Sequence, residues 1–420
     1  MTKRRLFAIA LLALLATTAA VPAAEDWPQF RGPSQQGWAE SSHPPTTWSE
    51  TQNIAWKTPI PGLGWSSPVI LAKQIWMTTA TDDGKSLRAI CVDQDSGKIT
   101  HDVEVFAETQ LAPKNAFNSY ASPTPVLEQG RVYVSFGTYG SACLDADTAA
   151  IIWKNNDLRL DHKEGPGSSP IIWGNEFILH CDGTDVQYVA VLNKLTGQLA
   201  FEIQRSYPLA TLIGDFRKAY STPTVATIDG KDQLISLGSR RVYGYDPVNG
   251  NELWHCDVPG FSNVPRPVFA DGLVFVSTGF QNAELWAIQP RAAGPDGSAP
   301  IIWKYLRGAP LKPSILFVND QLYFVSDSGI GRCLDAKTGR QLWQSRILAA
   351  ATASPIYAGG YIYFFDEHGK CAVLRPGPKL DEVAENQLDG RILASPAAVG
   401  DALFVRTDSA LYRIEKAKPE

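Results

Sequence analysis

One feature constrains this chain more than any other: it repeats. A small or polar residue followed by proline, with an apolar residue close behind, recurs at Pro68, Pro123, Pro170, Pro223, Pro267, Pro313, Pro355 and Pro396. The spacings are 55, 47, 53, 44, 46, 42 and 41 residues. Self-similarity at a near-fixed period means a stack or ring of like units. Each unit has the same grammar. A short strand leaves the proline, as in Pro68–Leu71, and a stronger apolar strand follows, as in Val132–Val134, Leu273–Val276 or Tyr361–Phe364. After a third strand, a turn carrying Asp and Gly leads to a fourth strand ending in Trp. Asp246 to Trp254 and Asp335 to Trp343 are the clearest copies, and Asp145 to Trp153 keeps the spacing without the glycine.

The turn chemistry explains the pattern. Asp hydrogen-bonds the backbone two residues on, and Gly supplies a positive φ. Together they close a hairpin between strands three and four. Proline at a strand start fits, because it cannot donate within a central ladder. Four antiparallel strands in 41 to 55 residues match a propeller blade. The last unit, from Pro396 through Leu403–Val405 to Leu411–Ile414, lacks a fourth strand, whereas Asn53–Trp56 reads as a fourth strand with no unit of its own. The expectation is an all-β, eight-bladed propeller whose N-terminal strand completes the last blade and removes two free edges. The 29 Pro and 34 Gly residues, which oppose long helices, become punctuation between short strands.

Ahead of the ring, Lys3, Arg4 and Arg5 precede an apolar run from Leu6 to Leu15, then small residues from Ala16 to Ala24. This reads as a secretory signal peptide over residues 1–24, followed by an N-terminal extension, 25–52, and a single propeller, 53–420. The protein is expected in the periplasm or outside the cell, as a monomer with no membrane span. Without the signal segment, 35 basic residues face 43 acidic ones, a net charge of about −8. Nucleic-acid binding needs a basic excess and is excluded as a partner class.

The Asp-Gly-Trp units at Asp246–Trp254 and Asp335–Trp343, repeated more weakly from about Asn53 to Glu415, resemble the pyrroloquinoline-quinone (PQQ)-like repeat. That family forms eight-bladed propellers, and it includes quinoprotein dehydrogenases and non-catalytic BamB-like envelope scaffolds. The stretch Trp27–Pro33 is similar to the start of a secreted subfamily of planctomycete-type bacteria. The resemblance implies one of two functions. One is a non-catalytic binding or scaffold propeller in the cell envelope. The other is a PQQ- and calcium-dependent dehydrogenase of alcohols or sugars. The alcohol-oxidising branch carries adjacent cysteines against its cofactor, and this chain has no Cys-Cys pair and no Cys-x-x-Cys-His haem motif. The non-catalytic reading is therefore preferred, with no catalytic residue assigned.

Six cysteines in an exported chain invite a disulfide reading. Cys91, Cys143 and Cys333, however, each stand two residues before the Asp of the turn, where other units carry Val191, Gly244 or Val373. That is a small core slot, so these read as buried thiols. A pair among Cys181, Cys256 and Cys371 stays open. His101 stands where other blades carry Trp and reads as structural. Asp161–Glu164 and His180–Asp185 are rich in metal-ligand types, but their spacing fits no standard zinc pattern, and no metal site is assigned.

The loops that enter each first strand gather at one mouth of the channel. They bring Trp65, Lys114, Asn118, Tyr120, His162, Lys163, Arg217, Lys218, Tyr220, Asn263, Arg266 and Lys312. Basic residues from several blades of an acidic protein would focus the field on an anionic ligand. Trp65, Tyr120 and Tyr220 each stand three residues before their proline and would wall in a sugar or a flat cofactor. A protein partner or an anionic or glycan ligand at this mouth is the expectation.

Overall fold

The computed structural model describes residues 26–417; the expected signal peptide lies outside them. Eight sheets close into a ring. Blade 1 is Val69–Leu71, Gln74–Ala80, Ser86–Asp93 and Ile99–Ala107, paired antiparallel in that order from the axis outward. Blades 2 to 7 repeat it, their first strands opening at Val126, Ile171, Thr224, Val268, Leu316 and Ile356. Blade 8 has Ala397–Val399, Ala402–Arg406 and Ala410–Glu415 from the C-terminus, and Ile54–Pro59 pairs antiparallel with Ala410–Glu415 as its outer strand. The ring thus closes as the sequence predicts.

The first strands also correct the register of two blades. Each opens one residue after Pro68, Pro125, Pro170, Pro223, Pro267, Ile315, Pro355 or Pro396. Pro123 and Pro313 therefore lie two residues too early. The shared position two residues before each strand carries a hydroxyl in every blade except blade 5, where Arg266 stands. These hydroxyls sew neighbouring blades together around the channel. The Ser67 N–H donates to Thr124 Oγ1 (3.0 Å), Thr124 to Ser169 Oγ (2.9 Å) and Ser169 to Thr222 Oγ1 (3.0 Å). A second arc runs from the Arg266 N–H to Ser314 (3.0 Å), then Ser354 and Ser395 (2.9 Å each).

Outside that ring, blades meet sheet on sheet through apolar clusters, such as Val69, Trp76 and Leu87 of blade 1 against Leu127, Val132 and Leu144 of blade 2. At the rim, tryptophan joins blade to blade. A bulge precedes Trp56, Trp153, Trp254, Trp303 and Trp343, where two residues of the outer strand face one on its neighbour. The extra residue, exposed at Ala55, Ile152, Leu253 and Ile302 and half-buried at Leu342, re-aims the indole. Trp56, Trp153 and Trp303 donate to the carbonyls of Gln94, Lys194 and Ala336 in the next blade's third-to-fourth turn. Each indole lies flat on that turn's glycine, Gly97, Gly197 or Gly339. These glycines have φ near +70° and leave no room for a Cβ.

All six cysteines are buried free thiols. Cys181, Cys256 and Cys371, whose pairing the sequence left open, sit on blades 3, 4 and 7. Burial pushes the Cys181 thiol up to about 12, which makes it unreactive. His101 stacks on Trp76 at 5.8 Å, a structural role as expected.

The segment expected to be an extension enters the ring. Trp38–Ala39 pairs parallel with Tyr357–Ala358 on the axial edge of blade 7. Trp27 exchanges backbone bonds with Ile70 of blade 1, and the Leu127 N–H of blade 2 donates to Pro28 O. Gln35 Oε1 accepts from the Val225 N–H of blade 4, Trp38 Nε1 donates to Phe317 O of blade 6, and the His43 N–H donates to Gly400 O of blade 8. The axial channel is therefore lined and filled in part by the chain's own N-terminal segment. Its apolar and polar side chains find there the partners that solvent would not supply.

Candidate functional site

Antiparallel order puts the loops between blades and those between second and third strands on one face, the mouth face. The predicted site residues lie there, with different fates. Lys163 pairs with Asp215 at 2.8 Å. Lys218, almost fully buried, bonds the same Asp215 carboxylate and stands 3.9 Å from Glu164. Lys163 first and Lys218 second hold the Asp215 carboxyl below its ordinary range. Lys312 lies 3.0 Å from Glu367 and 3.6 Å from Asp327. Arg217 caps the carbonyls of Leu212 and Ala210, and Lys114 donates to Asn118 O at 2.8 Å. Within the basic cluster, Lys163, Lys218 and Lys312 are thus neutralised by carboxylates, while Arg217 and Lys114 are held by backbone carbonyls. Two of its carboxylates, Glu164 and Asp215, are legible in the entry loops themselves. Asp327 and Glu367 come from second-to-third-strand loops and become neighbours only through the fold.

The polar residues build loops. Asn118 Nδ2 donates to Glu164 O and Pro166 O, tying the entry loops of blades 2 and 3. Asn263 is fully buried and donates to Gly238 O at 2.6 Å. His162 is buried, and its Nε2 accepts the Thr138 N–H at 3.1 Å. Desolvation pushes its pKa down to about 4, so it is neutral at pH 7. Among the aromatics, Trp65 donates to Phe117 O, Tyr120 to Ala112 O and Tyr220 to His162 O. Tyr120 stands five residues before Pro125, outside the register of Trp65 and Tyr220, and packs edge-on against Tyr139 at 5.7 Å.

Arg266 is only 1% exposed and does not face solvent. Its guanidinium turns down the axis to Phe30 O, Gln35 Oε1, Pro223 O and Thr224 Oγ1.

What the mouth presents instead is apolar. Phe117, 53% exposed, reaches from the blade 2 entry loop to lie 5.2 Å from Lys312 Nζ of blade 6 and 5.3 Å from the Arg391 guanidinium at the entry to blade 8. These two cations, from blades across the ring, hold the Phe117 ring at the mouth. Leu63, Ile213, Val264, Phe280 and Leu306 are exposed on the same face. The reading from sequence missed Phe117 because it looked for charge and hydrogen bonding there, not for an exposed apolar ring.

The stretch of blade 3 rich in metal-ligand residue types holds an ion pair within the blade that also reaches across to blade 4. Arg205 grips Asp182 with Nε (3.0 Å) and Nη2 (2.5 Å), and extends Nη1 to Ser236 Oγ (2.6 Å) of blade 4. His180 Nε2 meets the same Ser236 at 2.8 Å. Both Asp182 oxygens are thus occupied by Arg205. Among the described residues no group of three or more His, Cys, Asp or Glu side chains converges as a metal site.

A family model described as outer membrane protein assembly factor BamB matches residues 46–294 and 238–381. The chain belongs to this BamB-like family of PQQ-repeat propellers. Among solved structures, BamB from Moraxella catarrhalis superposes with a TM-score of 0.59 at 14% identity, covering 87% of this chain and 99% of its own. A europium-containing methanol dehydrogenase gives 0.54 at 10% identity, covering 92% of this chain and 90% of its own. The quinohemoprotein alcohol dehydrogenase from Comamonas testosteroni gives 0.52 at 11%, covering 94% and 82%. At such identities these likenesses establish the fold. No curated protein sequence matches the chain.

A quinone with three carboxylates and a calcium ion does not fit the residues present. Lys163, Lys218 and Lys312 already hold carboxylates, Lys114 holds a backbone carbonyl, and Arg266 is committed to the channel segment.

Proposed function

We propose that this family member is a non-catalytic propeller, exported by its N-terminal signal segment, that binds a protein partner in the cell envelope through its mouth face. The observation that carries the reading is the combination found at the axis. The chain's own Trp27–His43 segment occupies the channel, and its own carboxylates neutralise Lys163, Lys218 and Lys312 at the mouth. Exposed Phe117, Ile213, Phe280 and Leu306 are left as the adhesive surface. Apolar anchors inside a polar rim are what protein interfaces use. Neutralised lysines offer little to an anionic glycan. BamB, described as an outer-membrane assembly factor, supplies a precedent for a scaffold on this fold. No helix among the described residues is long and apolar enough to cross a membrane, so the reading needs no span.

The test is site-specific photocrosslinking in intact cells. A crosslinker at Phe280 or Leu306 is expected to trap one protein species, and a crosslinker at Val248, 69% exposed on the opposite face, is not. Equal capture from both faces overturns the proposal. So does steady dye-linked oxidation of an alcohol or sugar by the protein reconstituted with PQQ and calcium.

A further inference from the structure

The axis of the propeller holds two fully buried positive charges and no carboxylate against either. Arg31 and Arg266 are each 1% exposed, and neither forms an ion pair among the described residues. They are held in the same small cradle. The Arg266 Nη1 donates to Phe30 O, the carbonyl of the peptide that joins Phe30 to Arg31, at 2.7 Å. Its Nη2 takes Gln35 Oε1 (2.6 Å), while the Arg31 Nη2 takes the next residue's carbonyl, Gln36 O (2.6 Å). Both guanidiniums also sit at one level of the ring. Arg31 reaches Ile315 O and Pro355 O, and Arg266 reaches Pro223 O, residues that share the position just before the first strand.

Carbonyl dipoles answer part of that charge and leave the rest. Buried ions are ordinarily paired, because desolvation of an unpaired one costs far more than neutral acceptors return. Burial pushes the Arg31 guanidinium down to about 9, and it pushes Arg266 well below its ordinary value, with the Arg31 charge adding to the effect. Guanidinium does not give up its proton in proteins, so both charges persist at pH 7. One donor is also left over: Arg31 Nε is buried without a partner, as is Gln36 Oε1 in the same cradle. A side-chain amide turns over readily to present its NH2 instead. The cradle is strained, too, with Arg31 at φ 66° and Gln35 at φ 64°, left-handed values that non-glycine residues avoid. Strain is kept where the surroundings require it.

We propose that a small inorganic anion of the halide class is held on the propeller axis between Arg31 and Arg266, with the Arg31 Nε–H as a donor. It locks the N-terminal segment into the channel. A spherical monovalent ion suits a dry cradle with a single spare guanidinium donor. A water molecule there would meet the donor but leave the two charges unanswered. The inference is independent of any partner on the mouth face.

The decisive experiment uses the unaltered protein. Crystals grown or soaked in sodium bromide are expected to show an anomalous peak within hydrogen-bonding range of Arg31 Nε. A map without that peak, or with water alone, overturns the proposal. In solution, the thermal midpoint is expected to be higher in sodium chloride than in sodium gluconate of equal ionic strength, by about 2–3 °C at saturating chloride. Equal midpoints overturn it. Arg31→Gln is expected to abolish the difference, and a folded variant that keeps it counts against the site. If Arg31→Gln does not fold, the bromide map and the wild-type midpoints still decide.

Discussion

The joint between blades 2 and 3 and the joint between blades 1 and 2 solve one problem in two ways. At the first, Trp153 of blade 2 donates its indole N–H to Lys194 O and lies on Gly197 of blade 3. At the second, the equivalent residues are His101 and Ala149, and no indole crosses. The acceptor survives. Ala146 O, at the position matching Lys194 O, takes the Gln74 amide at 2.9 Å, and Gln74 is itself held by the Trp76 Nε1–H. The bulk has moved inward: the row Tyr133–Cys143–Trp153 of blade 2 becomes Trp76–Cys91–His101 in blade 1. Both joints thus keep one hydrogen bond to the same turn carbonyl and a filled rim. Glycine makes room for the indole at Gly97, Gly197 and Gly339, and for Phe201 and Ile203 at Gly250.

The comparison breaks most visibly if the two rim residues are cut away. Trp153→Ala is expected to cost about 3–5 kcal/mol, the usual loss for a buried tryptophan. His101→Ala should cost about 1–2 kcal/mol, because Trp76 remains beneath it. Urea midpoints of the two variants measure this, and equal losses would mean that the indole has no special place. Next in size is Gly197→Ala. A Cβ there would lie 2.4 Å from Trp153 Cε3, on a backbone at φ +71°. Overpacking and the left-handed conformation together predict a loss of about 2–4 kcal/mol by the same measurement. A wild-type midpoint would show that the turn can slide away from the indole.

Gln74→Leu attacks the substitute bond. It leaves Trp76 Nε1 and Ala146 O without their partner inside the joint, so the expected loss is about 1–2 kcal/mol. Gln198→Leu, an exposed position in the turn of the other joint, serves as the control and is expected to shift the urea midpoint by less than about 0.5 kcal/mol. A matching loss in the control would dissolve the distinction between the joints.

These joints show which parts of the molecule could be read from sequence. Short strands, Asp-to-Trp spacing and the orphan strand at Asn53–Trp56 are local patterns that repeat, and they determine the ring. Pro123 and Pro313 misled the register because each stands one residue before the hydroxyl of the ring, Thr124 or Ser314, whereas in the other blades the proline stands one residue after that position. The mouth was harder. Its lysines were visible, but the carboxylates Asp327 and Glu367 that neutralise Lys312 lie 15 and 55 residues away along the chain. Arg31 and Arg266 are separated by most of the protein, and nothing in the spacing of Trp27–Pro33 says that this stretch lies on the axis. Contacts that close across a ring leave no period in the sequence.

The smallest effect belongs to Ala149, which holds the turn position of Gly197 at φ 58°. A left-handed alanine costs about 1–2 kcal/mol. Replacing it with glycine would remove that cost, yet the unfolded chain would gain freedom worth about 0.5–1 kcal/mol. The methyl is also buried in the cluster shared by blades 1 and 2, and losing it would cost a further fraction of a kcal/mol. The terms nearly cancel, so Ala149→Gly is expected to move stability by less than about 1 kcal/mol in either direction. That near-balance accounts for an alanine persisting where Gly97, Gly197, Gly250 and Gly339 stand in other blades. It holds only while no indole covers the turn. Should Ala149→Gly lower the urea-derived stability by more than about 2 kcal/mol, the methyl itself must be sealing this joint, in the place that Trp153 takes at the next one.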